Sequence, residues 1–215
     1  ELAAMLATFI AYLRAAETAG APHRPAEMLG VIPLRTEQHL GTLAPDQRTA
    51  AEAVIASGRL LDVVVGPAGA GKTTTLAALT SSWRHGIGSV VGLAASATAA
   101  RALAESLGIP CETTAKWLHE STGDGATVRA LRYADAVARK ASRDYREQRA
   151  ANEEHWRLRA EQDQWRLCPG QLVIVDEASL ADTRTLAAIV EQARAASLPA
   201  ATRTTIIETL RVSGT

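Results

Sequence analysis

Eight residues, Gly66-Pro67-Ala68-Gly69-Ala70-Gly71-Lys72-Thr73, follow directly on the apolar run Leu60-Leu61-Asp62-Val63-Val64-Val65. A β-branched run that ends in closely spaced glycines and then Lys-Thr calls for a strand, a tight loop and a helix, in that order. The glycines let backbone N–H groups turn inward, and the helix that opens at Lys72-Thr73-Thr74 adds its positive N-terminal end, so the loop suits a phosphate. Residues Gly66 to Thr74 are therefore the candidate nucleotide contacts, with Lys72 reaching the β/γ-phosphates and the Thr73 hydroxyl placed on Mg²⁺. The plainer alternative is a Gly-rich turn beside a surface lysine.

A phosphate loop does not by itself organise a metal or an attacking water, so a second half-site is expected downstream. Leu172-Val173-Ile174-Val175 is a continuous apolar run of the kind buried on both faces of a parallel sheet, and it ends in Asp176 and Glu177. Both acids would then stand at a strand's carboxyl end, where open α/β sheets bind ligands. Asp176 is the candidate for Mg²⁺ and Glu177 for orienting or deprotonating water. The alternative is that the pair caps the helix starting near Ala181-Asp182.

The rest of the pattern predicts an α/β fold. Helix 42–57, with Ala50, Ala53, Val54 and Ser57 on one face, precedes the first strand; Ser89–Ala94 reads as a second strand, and Thr98–Leu107 as a helix ended by Gly108. Strand, helix, strand, helix implies a parallel sheet with flanking helices. Residues 124–167 break the rhythm with charges of both signs and no Pro or Gly after Gly125, which predicts a long helix or helical hairpin, its apolar side formed by Val128, Leu131, Val137 and Tyr145. This insert is either a solvated helical face or a surface for DNA or a partner. Glu1–Ala19 reads as an amphipathic helix, too short to span a bilayer. With its breaker-rich linker it makes residues 1–35 the tail of a preceding domain, and a chain that begins with Glu1 suggests a piece of something longer.

Bulk properties restrict the options further. Lys+Arg and Asp+Glu each number 23 in 215 residues, so no global basic field announces nucleic acid, and any such binding needs local geometry. Cys111 and Cys168 lack CxxC spacing and the five histidines form no ligand pattern, which fits a reducing, cytoplasmic setting without a zinc site or a disulfide framework.

Three further segments narrow the chemistry. Gln47 lies 19 residues before Gly66, and a Gln amide can pair with the N6/N7 edge of adenine, which would select ATP. Ser96 and Thr98 follow the second strand and offer hydroxyls to the phosphates of a nucleic-acid strand. Thr114, Lys116 and Trp117 add a hydroxyl, a cation and an aromatic able to stack on a base. Each has a bland alternative: a surface glutamine, a helix N-cap at Thr98, a core tryptophan.

In combination and order, residues 36–193 resemble the ATPase core of superfamily 1 helicases of the RecD-like branch, and within it the helicase half of MobF-class conjugative relaxases of actinobacterial type. The resemblance rests on Leu43-Ala44-Pro45-Asp46-Gln47 (Q motif), Gly66–Thr73 (motif I), Ala94–Arg101 (motif Ia), Thr113–Leu118, Trp165–Gln171 and Val173–Leu180 (motif II). It implies a RecA-like P-loop NTPase domain over 36–195 that uses ATP and Mg²⁺. The implied partners are single-stranded DNA, a relaxase domain and a second RecA-like domain, with no membrane involved. In the family a Gly-Asp…Gln element follows motif II; here residues 196–215 read instead as an atypical tail, with the expectation that the sheet is short of strands. In the family a second RecA-like domain then supplies transition-state arginines, which this sequence lacks, so the expectation is modest binding of Mg·ATP and slow hydrolysis without unwinding, against two rivals: a non-catalytic nucleotide or DNA-binding module, and an inactive remnant.

Overall fold

The computed structural model describes residues 39–57, 59–67, 71–196 and 205–212, with backbone alone for Pro67 and 205–212. Readings that concern residues 1–35, Ala68, Gly69 and Ala70 therefore lie outside the described residues. Helices α1 (Pro45–Ser57), α2 (Lys72–Gly86) and α3 (Ala97–Leu107) alternate with strands β1 (Leu61–Pro67), β2 (Val90–Ala94) and β3 (Cys111–Thr113). Three helices then run in succession, α4 (Thr114–Ser121), α5 (Asp124–Arg139) and α6 (Tyr145–Gln164), before β4 (Leu172–Asp176), a 3₁₀ turn (Ala178–Leu180), α7 (Thr183–Ala196) and β5 (Thr205–Val212).

All five strands are parallel, in the order β1-β5-β4-β2-β3. This is the RecA-like α/β architecture that the sequence implies, a parallel sheet flanked by helices. Burial explains why its strands read as unbroken apolar runs. Val90, Leu172 and Ile174 join Leu76, Leu79, Trp83, Leu103 and Leu107 in one cluster. The alternate residues Val91, Leu93, Val173 and Val175 are at most 8% exposed, so both faces of the central strands are covered. Leu40, Leu43, Ala51 and Val54 seat α1 on the same cluster. The helix buries Ala51 with Val54, the side on which Leu40 and Leu43 join the same cluster, rather than the expected Ala53, which is exposed.

Gly92 shows how tightly β2 is enclosed. A Cβ there would overlap the Cys111 sulfur and come within 2.9 Å of Leu103 Cδ2, so only glycine fits between β3 and α3.

The tail expectation is corrected by β5. The sheet is not short of a strand after residue 196, since Thr205–Val212 inserts between β1 and β4 and pairs with both. Its β-branched run, Thr-Ile-Ile-Glu-Thr-Leu, suits a strand flanked on both sides.

The described residues divide into two compact units, one running to Thr114 and resuming at Leu167, the other Ala115–Arg166. In the second, α5 and α6 form a helical hairpin. Its expected apolar side is corrected: Val128, Leu131, Val137 and Tyr145 are exposed by 55, 67, 44 and 74%. The buried positions are Arg129 and Ala136 of α5 and Ala151, His155 and Leu158 of α6. The small residues Ala136 and Ala151 let the helices approach, while polar pairs fill the seam. Glu154 receives Arg139 and lies 3.5 Å from Arg132, and the His155 ring pairs with the Tyr133 hydroxyl at 2.9 Å. Arg129 binds the Glu120 carboxylate at 3.0 Å and, through its Nη2, the Glu120 carbonyl at 2.7 Å. A seam built this way hides from a reading that equates buried with apolar.

Candidate nucleotide-binding site

Strand register brings the candidate residues to one edge. Ala94 stands opposite both Asp176 and Thr113, Asp176 opposite Thr209, and Thr209 opposite Val64. β2, β3 and β4 therefore end level, while β1 runs on past Val64 to Pro67, and from these carboxyl ends leave the phosphate loop, the acid pair, the Ser96 turn and Thr114. That edge is where a parallel sheet presents its loops to a ligand.

The loop closes on Gly71, whose φ of 72° and ψ of 24° are left-handed, and α2 begins at the next residue with no side chain capping its N-terminus. The first-turn N–H groups are thus left to the loop itself, as an anion site requires. The Gly71 carbonyl accepts the Thr75 N–H at 2.9 Å and its hydroxyl at 3.1 Å, which fixes the entry to the helix. The Lys72 ammonium donates to the Gly66 carbonyl, spanning the loop from one end to the other. Thr73 and Thr74 are exposed on the first turn while Thr75 is buried, so it is the first two hydroxyls that face outward.

Gln47 meets this loop from α1. Its Oε1 accepts the Ala44 N–H at 3.3 Å and its Nε2 lies against Gly71, so that a Cβ at 71 would overlap it. Glycine is required twice here, by the positive φ and by the amide.

Across β5 sits the acid pair. Two strand spacings separate β1 from β4, about 10 Å. Asp176 ends β4 and its Oδ1 accepts the Glu177 N–H at 3.0 Å. Glu177 has φ 51° and ψ 39°, and among the described residues it is the one non-glycine with positive φ. Left-handed backbone at a residue with a Cβ costs on the order of 1–2 kcal/mol, and such strain gathers at functional sites. The capping alternative is excluded, because Asp182 does that work: it accepts the Thr185 N–H at 2.9 Å and hydroxyl at 2.7 Å, and these bonds hold its pKa down.

Cys111, read from the sequence as a lone thiol, lies against Gly92 behind this edge. Burial pushes its thiol up to about 11, against the lowering effect of a hydrogen bond with the Gly92 backbone, and the negative charge of Asp176 pushes the same way as burial. The thiol stays protonated near neutrality and takes no nucleophilic part.

Residues 42–201 match the family model described as an AAA domain. The chain belongs to that family. Comparison with curated proteins gives no match. The AAA domain assignment makes this a P-loop NTPase core of helicase-like type, and the match ends before β5 begins.

Domains of this type bind ATP with Mg²⁺, which supplies charge neutralisation between the β- and γ-phosphates. The side chains on this edge suit that pair. An uncapped helix start, the Gly71 cradle and Lys72 offer donors to phosphate, and the exposed Thr73 hydroxyl with the Asp176 carboxylate offers hard oxygen ligands to the metal. Glu177, left-handed in backbone and half-buried, follows Asp176 on the same edge.

The proposed DNA contacts of this AAA domain divide. Ser96 caps α3, its hydroxyl accepting the Ala99 N–H at 3.2 Å, so the cap is Ser96 and not Thr98, which is exposed in the first turn. Thr114 is buried. Trp117 is corrected to a core residue: it is 3% exposed and packs edge-on against Trp165 at 5.9 Å, presenting no face for a base. Lys116 is exposed, with its ammonium 5.5 Å from the Trp165 ring centre. Among the described residues no helix is long and apolar enough to cross a membrane.

Proposed function

We propose that this AAA domain is the ATP-hydrolysing motor core of a DNA helicase, and that ATP turnover is coupled to movement along single-stranded DNA in the protein to which it belongs. The observation that carries the reading is the strained Glu177 beside Asp176, on the same carboxyl edge of the sheet as the loop of Gly71 and Lys72. Gln47, lying on that loop, would read adenine there and so favour ATP. Ser96, in the turn after β2 on the same edge, and Thr98, in the first turn of α3, would supply the polar groups for a DNA phosphate. The conjugative relaxase setting, with a relaxase domain and a second RecA-like domain as partners in the cytoplasm, rests on the resemblance of Thr114–Leu118 and Trp165–Gln171.

Turnover of Mg·ATP with and without single-stranded DNA tests this. The reading requires DNA-stimulated turnover that Lys72→Ala and Glu177→Gln each abolish while Glu177→Gln still binds nucleotide. Nucleotide binding with no turnover under either condition would make the domain a binding module.

A further inference from the structure

Helix α6 turns a distinctive face outward. Tyr145, Arg149, Asn152, Trp156 and Arg159 follow at intervals of four, three, four and three residues, which stacks them on one side, and all five are exposed. Arg146 and Arg157 flank this row one position on and are exposed too. Large aromatics are seldom left outside without a partner, yet Tyr145 is 74% and Trp156 63% exposed.

The acids of α6 are sorted differently. Glu154 is taken by Arg132 and Arg139 of α5, and Glu147 accepts the Ser142 hydroxyl at 2.5 Å. On the outward row and its flank the acids are Glu153, in a fully solvated pair with Arg149 at 3.1 Å, and Asp163 at the far end. Such an exposed pair is worth little and yields readily to a stronger anion. Four arginines therefore face outward against two acids. The unit Ala115–Arg166 as a whole carries eleven Lys and Arg against nine Asp and Glu, in a chain whose 23 basic and 23 acidic residues balance overall.

Trp156 is also held in place. The buried His155 ring meets it edge-on at 5.3 Å, and the Arg159 guanidinium lies 5.9 Å from its centre. A braced, exposed indole needs little ordering on binding.

From these observations we propose that the outer face of α6 binds single-stranded nucleic acid, with bases stacked on Trp156 and Tyr145 and phosphates met by Arg146, Arg149, Arg157 and Arg159. The two aromatics are eleven residues apart, roughly 16 Å along the axis, a span of a few nucleotides. Exposed aromatic faces favour unpaired bases, which a duplex keeps stacked inside. This surface belongs to the helical hairpin unit and shares no residue with the nucleotide site. It stands whether or not the domain hydrolyses ATP.

The test is fluorescence anisotropy of a labelled oligothymidylate of about 16 nucleotides with the full chain, without nucleotide and at low salt. Trp156→Ala should weaken binding about tenfold or more. Arg149→Glu with Arg157→Glu should weaken it further and reduce the slope of log K against log salt by about 1.4, from two lost phosphate contacts. Both variants carry exposed changes, and circular dichroism checks that the helices persist. Lys72→Ala should bind as the wild type does. The proposal is overturned if the wild type does not bind, if both α6 variants bind unchanged, or if base-free polyphosphate or a duplex of equal length competes as well as the single strand.

Discussion

Replacing Glu177 by Gly, Ala and Gln separates what its backbone costs from what its carboxylate does. With φ at 51° and ψ at 39° the residue sits in left-handed space, which costs a residue with a Cβ about 1–2 kcal/mol. Glycine removes that cost but gives the unfolded chain about 0.5–1 kcal/mol more entropy to lose. The Gly variant should therefore be about 0.5–1 kcal/mol more stable than the Ala variant, both having lost the same carboxylate. For a chain of this size that is a Tm difference of roughly 1–4 °C by differential scanning fluorimetry. The hydrogen bond from the 177 N–H to Asp176 survives in all three variants, being a backbone donor. Gln keeps the strain and the length of the side chain but cannot accept a proton, so its stability should match the wild type while turnover falls by about 10²–10⁴. An Ala variant as stable as the Gly variant would mean that residue 177 relaxes out of the left-handed region and no strain is stored. A Gln variant within tenfold of wild-type turnover would remove Glu177 from the handling of water.

Two further predictions concern the packing. Gly92→Ala should cost about 1–3 kcal/mol, since the new methyl has the Cys111 sulfur on one side and Leu103 on the other. Chemical denaturation should show part of that cost recovered in the Gly92→Ala, Cys111→Ala double variant, and equal costs in both backgrounds would refute the contact. Burial holds the pKa of His155 down, and the charges of Lys140 and Arg159 add to the effect. Above the ordinary histidine pKa near 6.5 the ring is neutral folded and unfolded, and no pH dependence arises from it. As pH falls through that value the unfolded chain takes a proton that the folded ring resists, so stability drops until the depressed folded pKa is reached. Thermal melts from pH 7.5 to 5 should show a steeper fall for the wild type than for His155→Gln, and parallel profiles would contradict it.

Much of the nucleotide site was legible because its signals are local. A β-branched run ending in glycines, and another ending in two acids, place strand ends without knowledge of the tertiary fold. What stayed hidden depends on distant partners. Trp117 reads equally as a stacking platform or a core residue until Trp165, 48 positions later, is found against it. Strand β3 has three residues, Cys-Glu-Thr, too few and too mixed to show a period. In the α5–α6 hairpin the buried positions are two alanines, Leu158 and paired polar groups, so the hydrophobic pattern pointed to the wrong side of both helices.

The segment 205–212 is the most instructive difference. Its run Thr-Ile-Ile-Glu-Thr-Leu meets the usual description of a strand, and it reads as a foreign tail only against the expectation of a Gly-Asp…Gln element. Placed in the sheet, it decides the geometry of the site more than any loop does. Without β5, β1 would lie alongside β4, and the phosphate loop would stand one strand spacing, about 5 Å, from the acids. With β5 between them the separation doubles, leaving room on the carboxyl edge for groups held between Lys72 on one side and Asp176 and Glu177 on the other. Because β5 pairs with β1 over seven positions and with β4 over five, it also fixes the axial level of the two halves, setting Thr209 opposite both Val64 and Asp176. A slip of one residue in either ladder would move the acids by about 3.3 Å along the strand direction and turn alternate side chains to the opposite face. The relative position of loop and acids is thus a property of a strand that contributes no candidate contact of its own.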